Sequence, residues 1–332
     1  MSFAARYADP IRGDAEKIGP ALVVHDTFAV IGRVVAGLLG IPRVNVCSGH
    51  NVAPARFLEI LREDPRVRLS AQCLQAVEVL RESYGVPDAS PFSYVSSLSS
   101  DLNIYCEPPE FLEESERRVF EPLAFYGSLP PVEEMQCGGQ GDRLWFGADS
   151  ARALKIYVSF GTVIWRSFAA EAVPALSTLA ATFARNENVR AVISLGGAEI
   201  GSEALAALAR PNVSVERYVD QWKLLPEADV FVTHHGMNST HEAIFHRVPM
   251  ISYPFFWDQP ALAKKCQQFG LAIPLAASPR GAFSEDDARA ALARLADERE
   301  PMRGALSRGH GWERTVIDSR PAVLQRVADL ME

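Results

Sequence analysis

From Lys155 onwards the chain alternates short apolar runs with longer amphipathic stretches. "KIYVSFGT" leads to "AAEAVPALSTLAATFARN", "VRAVISLGG" stands alone, "NVSVERYV" leads to "QWKLLPEA", "DVFVTHHG" to "MNSTHEAIFHR", and "VPMISYP" to "QPALAKKCQQFG". Each run has the length and Val/Ile content of a strand buried on both faces. Strands alternating with helices of about 10–15 residues predict a doubly wound parallel sheet, because a parallel connection has to cross the face of the sheet. An earlier unit reads the same way: "ALVVHD", then "TFAVIGRVVAGLLG" with Thr27 as N-cap and Gly40 as stop, then "IPRVNV". Residues Ala53 to Tyr84 read as mostly helical, "LNIYCEP" as a further strand, and "RPAVLQRVADLME" as a last helix. Between the two halves, Gly127 to Leu144 is dense in Gly and Pro and reads as an interdomain linker.

The chain has 332 residues, 48% of them hydrophobic, enough for two α/β cores. A formal net charge of -8 and the lack of a basic stripe argue against a nucleic-acid partner. The five cysteines are scattered and never form C-x-x-C, so they read as reduced thiols of a cytoplasmic protein, without a disulfide framework or zinc site. The first twenty residues contain no apolar signal-peptide core, and the longest apolar stretch is broken by Arg33 and too short to span a bilayer. A soluble protein with no membrane span is expected.

In an open parallel sheet, ligands gather at the carboxyl ends of the strands. "DVFVT" ends there, followed by His234, His235 and Gly236, which permits a tight turn and a close backbone approach. Asn238 and Ser239 then lie in the first turn of a helix whose unpaired N–H groups and dipole favour an anion, and Glu242 is one turn on, within reach of a ribose. "SFGTV" puts Gly161 and Thr162 on a second rim segment, "YVDQW" offers Tyr218 as an aromatic face and Gln221 as an amide, and "PFFWDQ" presents Asp258 and Gln259, a donor–acceptor pair suited to sugar hydroxyls. Each fragment alone has a plainer alternative, as helix cap, turn or core. Their common position at strand ends of one domain favours a nucleoside-diphosphate site.

The stretch "YVDQWKLLPEADVFVTHHGMNSTHEAIFHRVPMISYPFFWDQ" resembles the nucleotide-sugar-binding half of GT-B glycosyltransferases that act on macrolides, flavonoids and other lipophilic aglycones. The resemblance implies a GT-B fold of two Rossmann-like domains: residues 1–126 acceptor-binding and incomplete, 127–150 a linker, 151–312 donor-binding, and 313–332 a helix packing back on the first domain. It implies that Tyr218 stacks on the base and that Gln221 meets base or ribose. His234, Asn238 and Ser239 hold the diphosphate with Gly236, Gly161 and Thr162; Glu242 binds ribose; Asp258 and Gln259 bind the sugar. Transfer of a hexose or deoxyhexose from a UDP- or dTDP-sugar, inverting and with no cofactor or required metal, follows from it. Three positions depart from the pattern: Asp220 replaces a usual proline, His235 a small residue, and Leu262 an asparagine. An acid at 220 and an imidazole at 235 are expected to narrow or repel part of the donor.

"ALVVHDTFAVIGRVVAGLLGIPRV" resembles the middle of the acceptor domain, with Asp26 at the aspartate that orients a catalytic histidine. That histidine and the first strand–helix pairs of the domain are expected to be missing. His25 and His50 are the nearby substitutes, and the sheet is expected to expose an edge open to a second copy or a partner protein. Three functions stay open at this point: a natural-product glycosyltransferase, a non-catalytic nucleotide-sugar-binding or partner protein derived from one, and a GT-B epimerase.

Overall fold

The computed structural model describes residues 1–50, 53–63, 67–96, 98–130, 145–147, 150 and 152–332. These form two compact units, Met1–Gly127 with Thr315–Glu332, and Ser128–Arg314. The segment read as a linker, 127–150, falls largely outside the described residues, as does Cys137. Both units are parallel sheets flanked by helices, the α/β architecture expected from the alternating pattern.

In the first unit, strands β1 (Val23–Asp26), β2 (Arg43–Cys47), β3 (Leu102–Tyr105) and β4 (Leu123–Phe125) lie in that order, all parallel. Residues without a clear period at the start of the chain form a helix, Ser2–Ile18, whose Ala4 and Ala8 pack on Val30, Val34 and Leu80. Thr27 does not cap the next helix, which runs Val30–Leu39 from an N-cap at Ala29. Its hydroxyl instead donates to the Val46 carbonyl (3.1 Å) and to Asn45 (3.2 Å), tying β1 to β2. Gly40 ends that helix in the left-handed region, as its sequence position predicts. The stretch from Ala53 to Tyr84 holds two helices, Pro54–Glu63 and Ala71–Ser83. β1 stands at the sheet edge with Val24 half exposed, so among the described residues the expected open edge is present. Residues 315–332 belong to this unit: Val323 packs on Val44, Leu102 and Ile104, and Arg326 donates to the Leu123 carbonyl (2.6 Å).

The second unit holds β5 (Leu154–Ser159), β6 (Val189–Ser194), β7 (Val213–Glu216), β8 (Val230–Thr233), β9 (Met250–Ser252) and β10 (Ala272–Pro274). Their spatial order is β10-β9-β8-β5-β6-β7, again all parallel. The chain leaves β5 toward β6 and β7, then returns to the other side of β5 for β8. The boundary between β5 and β8 is therefore the topological switch point, where the loops at the carboxyl ends diverge and leave a crevice. Tyr157 of β5 stacks on Phe231 of β8 beneath it, ring centroids 4.8 Å apart. No helix among the described residues is long and apolar enough to cross a membrane.

Candidate active site

The residues singled out in the second half of the sequence stand at this crevice or along the same carboxyl rim, because three strand ends are shaped alike. A hydroxyl on the last strand residue accepts the N–H two residues on: Gly161 to Ser159 Oγ (3.3 Å), Gly196 to Ser194 Oγ (3.3 Å), His235 to Thr233 Oγ1 (3.2 Å). The third residue of each turn is left-handed, with φ of 73°, 58° and 59°. The first two turns use glycine. The third uses His235, so the tight turn expected at Gly236 is made one residue earlier, and Gly236 has an extended φ of -63°. A left-handed non-glycine residue is uncommon, with histidine among the types that reach this region most readily.

Gly161 and Gly236 are required by space. A Cβ on Gly161 would lie 2.6 Å from His234 Nε2, and one on Gly236 would lie 2.5 Å from the same atom. The imidazole of His234 is thus held between two backbones, and Gly196 lets the Gly161 loop rest on it, since a Cβ there would meet the Gly161 carbonyl at 2.2 Å. Gly236 is also the N-cap of the helix Met237–His246, and it has no side chain to satisfy the amides of the first turn, where Asn238 and Ser239 sit. Backbone N–H groups, a helix dipole and an imidazole therefore meet at one point, a combination that suits phosphate oxygens.

Burial pushes the His234 pKa down to about 4, with the Ser159 backbone pulling weakly the other way, and Nδ1 makes no hydrogen bond of normal geometry. His234 is therefore neutral at physiological pH, able to hydrogen-bond without carrying charge. His235 is turned inward and fully buried, its Nε2 2.7 Å from Ser252 Oγ and its Nδ1 3.2 Å from Thr240 Oγ1. The expectation that it narrows the donor site is therefore corrected. Burial, with His234 alongside, pushes its pKa down to about 3, and burial takes His246 to about 4. In each case the folded pKa lies below the ordinary 6.5, so below pH 6.5 the unfolded chain takes up protons that the folded chain refuses. Stability is complete above that value and falls as pH drops toward 4. Melting temperatures across pH 7 to 4 should show the fall, and His235→Asn, which tolerates the left-handed backbone, should show a shallower one.

Gln221, Ser239 and Glu242 are drawn together by hydrogen bonds. The Gln221 amide donates to Glu242 Oε2 (2.7 Å) and Ser239 Oγ (3.1 Å), so Gln221 positions Glu242. Burial raises the Glu242 pKa, opposed by the Gln221 hydrogen bond and reinforced by the charge of Asp220. Asp220 itself caps the short helix Gln221–Leu224 by accepting from the Lys223 N–H and pairs with the Lys223 ammonium at 3.5 Å. Tyr218 is 68% exposed, a face open to stacking. Asp258 is the N-cap of the helix Gln259–Gln268 yet makes no side-chain cap bond, and Gln259 Oε1 accepts from the Phe255 (2.9 Å) and Phe256 (3.3 Å) amides. This fixes the Gln259 side chain with its NH2 end away from those amides. Leu262 is fully buried in that helix. Thr162 and Asn238 are exposed on the same rim.

Asp26 lies in the first unit, at the end of β1. Its oxygens accept from the Phe28 amide (2.7 Å) and from the Ser48 hydroxyl, and none of the described histidine side chains bonds to its carboxylate. Among the described residues no three His, Cys, Asp or Glu side chains group as metal ligands would. Sequence reasoning missed Ser194 and Gly196. Their signal was present, because S-L-G at 194–196 repeats the S-F-G of 159–161.

Residues 157–307 match the family model described as UDP-glucoronosyl and UDP-glucosyl transferase. The uncharacterized UDP-glucosyltransferase YdhE of Bacillus subtilis is 28% identical over 253 residues, covering 74% of this chain and 59% of the relative. The chain spans about three fifths of the length of the curated relatives it matches. Among solved structures, the glycosyltransferase of kitacinnamycin superposes with a TM-score of 0.71 at 24% identity, over 97% of this chain and 80% of the other. VinC, a glycosyltransferase solved with dTDP, gives 0.67 at 18% identity, over 98% and 76%. Both likenesses concern the fold, and it is the one the two units display. The second unit is thus similar, over residues 157–307, to the UDP-glucoronosyl and UDP-glucosyl transferase family, and the chain as a whole shares the fold of these glycosyltransferase structures.

Proposed function

We propose that the protein transfers a hexose or deoxyhexose from a UDP- or dTDP-sugar to a hydroxyl of a lipophilic small molecule, with inversion and without a required metal. The observation that carries this reading is the cradle at the β5/β8 switch point, where the neutral His234 is pinned between Gly161 and Gly236 beside an uncapped helix start. Charge develops on the departing diphosphate as the sugar leaves, and fixed amides and an imidazole meet it without reorganising. Glu242, steered by Gln221, accepts from ribose hydroxyls, Tyr218 stacks on the base, and Asp258 with Gln259 holds the sugar. Natural-product acceptors are favoured because the kitacinnamycin enzyme shares the fold.

The test is a transfer assay with UDP-glucose and dTDP-glucose against phenolic and polyketide acceptors, with and without EDTA. Products carrying a β-linkage from the α-linked donor, formed equally in EDTA, are expected. His234→Ala should weaken nucleotide binding and cut turnover by about a hundredfold or more. Nucleotide binding with no product from any acceptor would instead describe a binding protein.

A further inference from the structure

The second unit carries another concavity, at the end of its sheet opposite the cradle. The amino ends of β5 and β8, the helix Glu285–Asp297 and the start of the helix Arg299–Asp329 enclose a cavity of about 680 Å³. Its lining residues all belong to that unit, and its volume is in the range of small-molecule sites. The floor is apolar, formed by the buried side chains of Val230, Leu295, Met302 and Leu306.

The wall is cationic. Arg152, Lys155, Arg247, Arg299 and Arg303 line the same cavity, in a chain whose formal net charge is -8. Among the described residues lining it, Asp229 is the one acid, and its carboxylate is engaged by the Lys155 backbone amide at 2.9 Å. Arg303 is paired with Glu300 at 3.1 Å, both side chains exposed; among the described residues the other four cations are in no ion pair. Like charges gathered around one cavity repel, and an anion among them relieves that repulsion.

Three of these cations stand where the local backbone disfavours them. Arg247 follows the helix Met237–His246 with a left-handed φ of 60°, a position that favours glycine. Arg299 and Arg303 are four residues apart on one face, at the start of a 31-residue helix, the positive end of its dipole, where acids are the stabilising choice. Positions that break a local rule in the same direction, each adding positive charge to one cavity, point to a ligand rather than to folding.

We propose that this cavity binds a small amphiphilic anion, its apolar body on the floor of Val230, Leu295, Met302 and Leu306 and its carboxylate or phosphate head among the guanidinium groups. Burial of the apolar body supplies affinity, and the forked N–H donors of arginine hold an oxyanion in a defined orientation. The site is separate from the nucleotide cradle and does not rest on the transferase reading.

The test is calorimetric titration of the full chain with octyl phosphate and with octanoate, below their micelle concentrations. Inorganic phosphate and 1-octanol, which carry a head or a tail alone, are titrated beside them. One equivalent of an amphiphile should bind at least about tenfold more tightly than either half, the tighter of the two identifying the head. An excess of UDP should leave that affinity unchanged. Arg247→Gly gives the left-handed position its favoured residue and should melt no lower than the wild type. It and Arg299→Gln should each weaken amphiphile binding by about five- to tenfold, with UDP affinity unchanged. If Arg247→Gly does not fold, Arg299→Gln, at an exposed helix position, decides. Displacement by UDP would put the ligand at the cradle, and binding that neither substitution weakens would put it elsewhere; either overturns the proposal. So would phosphate or octanol binding as tightly as the amphiphile, or no binding at all, and none of these outcomes bears on the transferase reading.

Discussion

Gly161→Ala should lose nucleotide binding and destabilise the second unit together. The new methyl carbon would stand 2.6 Å from His234 Nε2, a separation side chains do not tolerate, at a backbone φ of 73°. The left-handed backbone costs about 1–2 kcal/mol for an L-residue, and overpacking adds about 1–3 kcal/mol. The imidazole cannot retreat freely, because Gly236 closes on it from the other side. UDP affinity should fall by more than about tenfold, since on the proposed reading the displaced imidazole loses at least one hydrogen bond to phosphate. Gly197→Ala is the matched control. Its φ is 88°, yet a Cβ there meets nothing within 4 Å, so it carries the backbone cost alone. Urea unfolding and calorimetry on the two variants separate strain from collision, and equal losses would remove the steric argument.

The second large effect is expected far from any rim. His241, on the helix that begins at the cradle, places Nδ1 2.6 Å from Glu313 Oε1, with side chains 0% and 1% exposed. Removing one member of such a pair leaves the other polar and buried with its charge-assisted hydrogen bond lost, which typically costs about 3–5 kcal/mol. Glu313→Ala should therefore lower the unfolding free energy by about that amount. Glu313→Gln keeps an acceptor oxygen in place and should lose less. The helix Met237–His246 also carries Asn238 and Ser239, so Glu313→Ala should weaken UDP binding as well. A variant as stable as the wild type would show that the contact contributes nothing net.

The pair at 241 and 313 also illustrates what sequence could not convey. The helix that supplies Glu313 runs Arg299–Asp329, whereas only Arg320–Glu332, which overlaps its last ten residues, reads as helical from the pattern. Gly304, Gly309, Gly311 and Pro321 argue for a loop when propensity alone is weighed. Packing overrides them. A Cβ on Gly309 would meet Ile244 Cγ2 at 2.8 Å, so the glycine permits two helices to approach, a tertiary reason invisible in a local window. The carboxyl rim of the second unit was far more legible, because strand ends, hydroxyls and glycines recur at fixed spacing there. Its inner wiring was not: that Gln221 is committed to Glu242, and that His235 rather than Gly236 takes the left-handed conformation, depends on which way side chains point. Nor was the contact between His50 Nδ1 and Glu107 Oε2 (2.8 Å) legible, because 57 residues separate the two.

His235 carries one consequence further. Its ring bridges Thr240, in the helix after β8, and Ser252, the last residue of β9, so the loops beyond two neighbouring strands are riveted to each other through a side chain that never reaches the surface. Loops at a binding rim ordinarily lose conformational freedom when a ligand arrives, and that loss subtracts from affinity. Here much of the ordering is completed during folding. The strain of one left-handed histidine is exchanged for two rim loops that are ordered before any ligand arrives.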